Sequence, residues 1–419
     1  MAASAADWER WFREDRGRVL ATVVRLVGDL GRAEEIVQEA WLRALERWPA
    51  QGVPDSRRAW LLTTARHLAI DELRRRQRAP ADVFDEAQHS PRESGWDEDL
   101  ALAPPVLRDD PLRLIFSCCH PALPREARVA LTLRTLGGLT TREIARAFLT
   151  AEPTVAQRIV RAKKTLREKH VGYRVPTAWE LPERLPAVLE VLYLIFNEGY
   201  AAAEGESPAR RELCDEAIRL AALVAELLPE EPESWGLLAL LELQASRLPA
   251  RSGGDGASVL LEEQDRTRWD RARLAEGLAH LARARGEGAY ALQAAIAACH
   301  ARAARFEDTD WREIVRLYDA LLAGVPSPVI ALNRALALSR LEGPEAALAL
   351  VDALAADARL RDYVWLFASR ADLLRRAGRP HEAAADYRRA LAGTANRAER
   401  VVLERRLAEC TGPNGRLAS

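Results

Sequence analysis

"TTREIARAFLTAEPTVAQRIVRAKKTLR", Thr140 to Arg167, is the stretch on which the reading of this chain turns. Thr140 followed three residues later by Glu143 is a capping box, in which each side chain satisfies the other residue's backbone N–H; a helix is expected from Thr141 to about Phe148. After a short turn a second helix is expected near Glu152 or Pro153, where a proline in the first turn costs little because its missing N–H would have no intrahelical acceptor. In that helix Val155, Ile159, Ala162 and Leu166 fall at helical spacing on one side, and Thr154, Gln157, Arg158 and Arg161 line the adjacent face. Two helices joined by a tight turn, the second with a basic exposed face, is the helix-turn-helix geometry whose second helix enters the DNA major groove. There Gln157 and Arg161 are placed to read base edges, while Arg158, Lys163 and Lys164 suit phosphates. An ordinary helical hairpin with a solvated basic face remains the open alternative.

Charge supports the first reading. The chain holds 61 Lys and Arg against 62 Asp and Glu, yet its three lysines, Lys163, Lys164 and Lys169, all lie in or just after this segment. From Arg125 to His170 there are eleven basic against four acidic side chains, whereas Ala81 to Asp110 is strongly acidic. A basic module beside an acidic segment implies a polyanionic partner. At 419 residues and 48% apolar content the chain has room for two or three packed domains. No stretch approaches the roughly 20 apolar residues of a membrane span, and no leader-like run opens the sequence, so a cytoplasmic protein with no membrane partner is expected. Five cysteines without repeated pair spacing suit a reducing compartment.

Runs rich in Ala, Leu, Arg and Glu with a period near 3.6 extend throughout, and the fold is expected to be all-α. The acidic, proline-bearing stretch reads as a linker, and "YRVPTAWELPERLP" (Tyr173 to Pro186) punctuates again. The expected organisation is 1–79, a first small helical domain; 80–110, the linker; 111–172, the helix-turn-helix domain; and 173–419, a helical extension broken by the loop "RLPARSGGDGAS". Near its end, "LNRALALSRLEGPEAALALVDALA" and "SRADLLRRAGRPHEAAADYRRALA" repeat a helix, Gly/Pro turn, helix pattern at an offset of about 35 residues, close to the tetratricopeptide period. Such repeats offer a concave surface to a peptide or to another part of the chain.

In the first domain, "GDLGRAEEIVQEAWLRALERWP" (Gly28 to Pro49) makes an amphipathic helix with Ile36, Val37, Ala40, Trp41, Leu45 and Trp48 inside and Glu35, Gln38 and Glu39 outside. "DSRRAWLLTTARHLAIDELRRRQR" (Asp55 to Arg78) follows, with Leu61, Ala65, Leu68 and Leu73 as its packing stripe. Trp60, Arg66 and His67 combine aromatic and basic character, as stacking on single-stranded bases needs.

The order "AEEIVQEAWLRAL", "AWLLTTARHLAIDELRR", acidic linker, then "LTTREIARAF" and "PTVAQRIVRAKKTLR" resembles the extracytoplasmic-function (ECF) sigma factors of bacterial RNA polymerase over roughly the first 170 residues. The remainder, with "LYLIFNEGY", "LLEEQDRTRWDRA", "YALQAAIAACHA" and "DTDWREIVRLYDALL", is similar to the tetratricopeptide-like extension of one ECF subgroup. The resemblance implies two small helical sigma domains, region 2 and region 4, that bind the polymerase core through the β′ clamp and the β subunit and bind promoter DNA. It implies that Glu35, Gln38 and Glu39 meet the clamp, that Trp60, Arg66, His67, Arg74 and Arg75 recognise and melt the −10 element, and that Gln157, Arg158 and Arg161 read the −35 element. The acidic linker either threads a positively charged polymerase channel, imitating nucleic acid, or is simply solvated; the size of the extension and its fusion to a DNA-binding module lead us to expect that it docks intramolecularly on the sigma domains and modulates activity. His67 stands where Asn is common, Ala156 replaces a frequently basic residue, and "TAEPT" replaces the usual small-residue turn, so promoter preference does not transfer.

An enzyme is not expected: no phosphate loop or nucleophile elbow is present. "SCCHP" (Cys118, Cys119, His120) and "ACHA" (Cys299, His300) put thiols beside imidazoles, but adjacent ligands cannot easily close on one ion, and no metal or other cofactor is expected. Asp265, Arg266, Trp269 and Asp270 of "EEQDRTRWDRA" form either a buried polar cluster or a ligand contact, the cluster being favoured. The rival of another class is a stand-alone helix-turn-helix regulator with a sensing helical domain, which has no need of the region 2 pair. A helical scaffold would leave the lysine cluster unexplained.

Overall fold

The computed structural model describes residues 5–78, 110–147, 150–169, 171, 173, 180–200, 211–251, 258–285, 288–394 and 396–412. The acidic linker before Asp110 therefore lies outside the described residues. The chain forms two compact units, residues 1–195 and 196–419.

In the first unit, α1 (Ala5–Val27), α2 (Leu30–Gln51) and α3 (Arg57–Arg78) pack against one another. Gly28, at φ +70°, allows the sharp turn between α1 and α2, and the Asp29 carboxylate caps α2 by accepting from the Arg32 N–H at 2.9 Å. The buried stripe of α2 is Leu30, Ala33, Ile36, Val37, Ala40, Trp41, Ala44 and Trp48. Leu45, expected inside, is 46% exposed, because at about 100° per residue it falls slightly more than a quarter turn from the centre of that stripe. Trp8, Trp11, Phe12, Trp41, Trp48 and Trp60 interlock; Trp8 stacks on Trp48 at 5.2 Å between centroids, and Trp48 meets Trp60 edge-on at 5.4 Å.

α4 (Asp110–Cys118), which packs on α1, leads into α5 (Arg125–Thr135), α6 (Thr141–Ala147) and α7 (Glu152–Glu168). At Gly17 the α1 backbone comes so close to the end of α5 that an added Cβ would lie 2.8 Å from the Leu136 carbonyl oxygen. The unit continues past the Tyr173 to Pro186 punctuation into α8 (Leu181–Tyr200). Arg184 donates to the Phe116 carbonyl at 3.1 Å and Glu190 accepts two bonds from Arg125 at 2.9 Å, tying the first half of α8 to α4 and α5.

The second unit runs through α9 (Arg211–Leu227), α10 (Pro232–Ala245), α11 (Arg271–Arg283), α12 (Ala289–Arg302), α13 (Trp311–Gly324), α14 (Pro328–Glu342), α15 (Pro344–Leu354), α16 (Val364–Arg376), α17 (Pro380–Gly393) and α18 (Arg397–Thr411). α10 is buried almost all round, as its apolar sequence requires, and packs on α9, α11 and α12. From α12 onward each helix packs on its neighbours in sequence. Gly343 (φ +89°) and Gly378 (φ +75°) occupy equivalent turns between paired helices, each followed closely by the proline that opens the next helix. The fold is all-helical, as expected.

Two helical glycines differ in surroundings and should respond oppositely to Gly→Ala. A Cβ at Gly236 in α10 would lie 2.7 Å from the Ala291 backbone nitrogen, whereas at Gly324 it would meet nothing within 4 Å. Gly236→Ala should cost about 1–3 kcal/mol by overpacking and lower the thermal midpoint. Gly324→Ala should gain roughly 0.4–1 kcal/mol by restricting the unfolded chain.

Candidate nucleic-acid interface

The capping box at the start of α6 is complete: the Thr140 N–H donates to Glu143 Oε2 at 2.7 Å and the Glu143 N–H to Thr140 Oγ1 at 3.1 Å. α7 begins at Glu152 with Pro153 in its first turn, and Val155, Ile159, Ala162 and Leu166 are buried where it packs on α5 and α6. Burial of that stripe turns Thr154, Gln157, Arg161 and Lys164 to the surface. Val160, 65% exposed, lies among them. It was legible from the same spacing but carries no charge to draw attention.

Arg158 is half-buried on one flank of the helix. Lys163 is on the other flank and forms an ion pair with Glu34 of α2. One turn later Arg167 donates to the Asp29 carboxylate at 2.9 Å. Burial alone would raise the Asp29 pKa, but hydrogen bonds from the Arg32 N–H and from Arg167 hold it below the usual carboxylate range. Glu34 is also reached by Arg16 of α1 at 3.3 Å, and Arg16 Nη1 donates to the carbonyls of Arg134 (2.7 Å) and Thr135 (3.2 Å) at the end of α5. The basic cluster of α7 is thus divided: Lys164 and Lys169 are exposed, while Lys163 faces the acidic first turns of α2.

On α3, Arg66, His67 and Arg74 are exposed. Trp60 is half-buried, with its ring already engaged by Trp48, and the side chain of Arg75 lies outside what the structure describes. On α2, Glu35 and Gln38 are exposed; Glu39 is half-buried and pairs with Arg43 at 3.0 Å. Leu42, 54% exposed, adds an apolar component beside Leu45 that the sequence reading did not place there.

The cysteine-rich stretch is packing. Cys118 and Cys119 are fully buried, each 3.8 Å from a threonine hydroxyl, Thr135 and Thr132 respectively, and burial pushes both thiols up to about 12. Among the described residues no three potential metal ligands gather. In the second unit Asp265 and Asp270 act as helix caps, accepting from Thr267 and from Ala272 and Arg273, while Arg266 and Trp269 are buried.

Comparison with known proteins follows the same division of the chain. The model of Sigma-70 region 2 matches residues 11–79, that of Sigma-70, region 4 matches 113–166, and a family of unknown function (DUF6596) matches 184–285. An uncharacterized protein of Rhizobium meliloti (strain 1021) is 45% identical over 397 residues, 94% of this chain and 93% of the relative. "ECF RNA polymerase sigma factor SigL" of Mycobacterium tuberculosis (strain ATCC 25618 / H37Rv) is 31% identical over 167 residues, 40% of this chain and 90% of that protein. "Probable ECF RNA polymerase sigma factor SigI" of the same strain is 31% identical over 171 residues, 40% of this chain, and the match spans 57% of its length.

All five cysteines are buried. An aromatic disulfide reagent at pH 8 should leave the native protein essentially unmodified and titrate five thiols in denaturant; rapid native reaction of Cys118 or Cys119 would contradict the packing described.

Proposed function

Because the chain belongs to the extracytoplasmic-function sigma factors of RNA polymerase, we propose that it binds the polymerase core in the cytoplasm and directs it to particular promoters. The observation that carries the reading is the outward line of α7, Thr154, Gln157, Val160, Arg161 and Lys164, set on a helix whose opposite face is buried. Gln157 and Arg161 are the base-reading pair for the −35 element: Gln is suited to adenine, Arg to guanine, and a good bidentate contact supplies about 1–3 kcal/mol of discrimination. Val160 offers an apolar surface to a thymine methyl. Lys164, Thr154 and Arg158 hold phosphates, and Arg66, His67, Arg74 and Arg75 of α3, with Trp60 behind them, engage the −10 element. Glu35, Gln38 and Glu39, joined by Leu42 and Leu45, form the polymerase-docking face.

Lys163 and Arg167 act first as ties within the protein. Their pairs with Glu34 and Asp29 hold region 4 on region 2, and Arg167 is exposed enough that its pair contributes only about 0–1 kcal/mol. A promoter presents its two elements on separate stretches of DNA, so engagement separates α7 from α2, and phosphate contacts take over both cations. The helical extension, which we read as tetratricopeptide-like from its equivalent Gly343 and Gly378 turns, modulates this engagement.

The test is in vitro transcription with bacterial core polymerase on a library of upstream fragments. Initiation should depend on the protein and fall at least fivefold with Arg161→Ala, while Lys164→Ala should weaken all sites alike and reduce the salt slope by about one. DNA binding without polymerase stimulation would replace this reading with the stand-alone regulator. Truncation after Ile195 keeps the part of α8 that packs in the first unit; unchanged transcription would remove the role given to the extension.

A further inference from the structure

Three stretches that promoter binding leaves unused converge in the second unit around one guanidinium. Arg266 is 8% exposed, and its Nη1 donates to the carbonyls of His300 (2.6 Å) and Ala303 (2.7 Å) at the C-terminal end of α12. That half of the fork is well used, since a helix C-terminus favours a cation. Its Nη2 has no acceptor among the described residues. The same holds for Trp269 Nε1 (3% exposed), and Thr309 Oγ1 (5% exposed) and His300 Nδ1 also find no partner. The Arg266 guanidinium lies 5.0 Å from the centroid of the Trp269 ring and that of Arg247 lies 5.8 Å from the same ring.

Neither arginine forms an ion pair among the described residues. Arg247 donates to two neutral amides, Gln264 at 3.3 Å and Gln244 at 3.1 Å. The acids that act on Arg266, Glu307 and Asp308, are both exposed, and Asp308 is bound to Arg305 at 2.8 Å. Burial first, and then Arg247, lower the Arg266 pKa; burial, then Arg247 and Arg266, bring His300 to about 3, so its ring is neutral near pH 7. Two guanidiniums on one indole, with buried donors aimed at no acceptor, form an unfavourable arrangement unless negative charge is supplied from elsewhere.

We propose that Arg266, Trp269, His300 and Thr309, with Arg247 beside them, bind a small oxyanion, a carboxylate or a phosphate group. Arg266 Nη2, Trp269 Nε1 and the Thr309 hydroxyl donate to its oxygens, and the neutral His300 contributes its Nδ1 position. The anion neutralises the Arg247–Arg266 repulsion and couples the "QDRTRW" segment to the end of α12 and to the loop before α13. The site is independent of the promoter-binding face and gives the extension a chemical input.

The test uses the full-length protein at fixed ionic strength set with chloride. Inorganic phosphate and citrate are titrated separately, by calorimetry and by thermal unfolding. Saturable one-to-one binding with a raised melting temperature is expected for one of them, and which one responds separates a phosphate from a carboxylate ligand. Arg266 also anchors α12, so the deciding variant is Thr309→Val, which removes the hydroxyl at nearly constant volume. Without anion it should be as stable as the parent or more so, and its affinity should fall at least tenfold. Absence of saturable binding above the chloride control overturns the proposal. So does anion binding that Thr309→Val leaves unchanged, since an ordered water at the cluster would not couple that hydroxyl to anion affinity.

Discussion

Arg16 sits where α1 meets the end of α5, buried, with its guanidinium shared between two backbone carbonyls and the Glu34 carboxylate. Carbonyls at a helix C-terminus have no intrahelical donors, and a buried cation there answers both that need and its own. Burial lowers the Arg16 pKa and Glu34 works against that shift, so the charge is retained because its partners are all in place. Gly17, next in sequence, lets the two backbones approach closely enough for this contact to form. Once α1 and α5 are joined in this register, the first turns of α2 come opposite α7, and Glu34 is presented to both Arg16 and Lys163. A buried charge of this kind contributes little net stability when complete and costs several kcal/mol when one partner is removed, which suits it to specifying an arrangement.

α7 consequently serves two sets of partners. Its buried stripe belongs to α5 and α6, its outward line faces solvent, and its Lys163–Arg167 flank is occupied by Glu34 and the N-cap Asp29 of α2. These pairs are partly solvated and sensitive to salt, whereas the packing beneath them is not. The surface of contact between α2 and α7 is therefore the part of this unit that a highly charged partner can most readily reorganise.

The second unit is held by a different logic. α10 is enclosed by three neighbours, and the later helices pair with their successors around two apolar cores, one centred on Leu317 and Leu321 and another on Leu373, Leu374 and Tyr387. Against that background the polar cluster at Arg266 is conspicuous. Glu262 and Glu263, a few residues upstream, are fully engaged by Arg340, Arg405 and Arg406, so the same segment contains both well-compensated acids and undercompensated arginines.

Helix existence, the capping box, the buried stripe of α7 and the exposure of Gln157 and Arg161 were determined by sequence alone, because each depends on residues three or four apart and on the 3.6-residue period. The order and spacing of the quoted motifs over the first 170 residues carried the resemblance to the family. Tertiary structure decided what spacing cannot encode: that Trp60 is engaged by Trp48, that Lys163 turns to Glu34, and that Arg266 turns away from the capping acids Asp265 and Asp270 to the carbonyls of His300 and Ala303. Those outcomes follow from contacts between helices distant in sequence, where packing of apolar faces sets the register and the charges pair with whatever that register places before them.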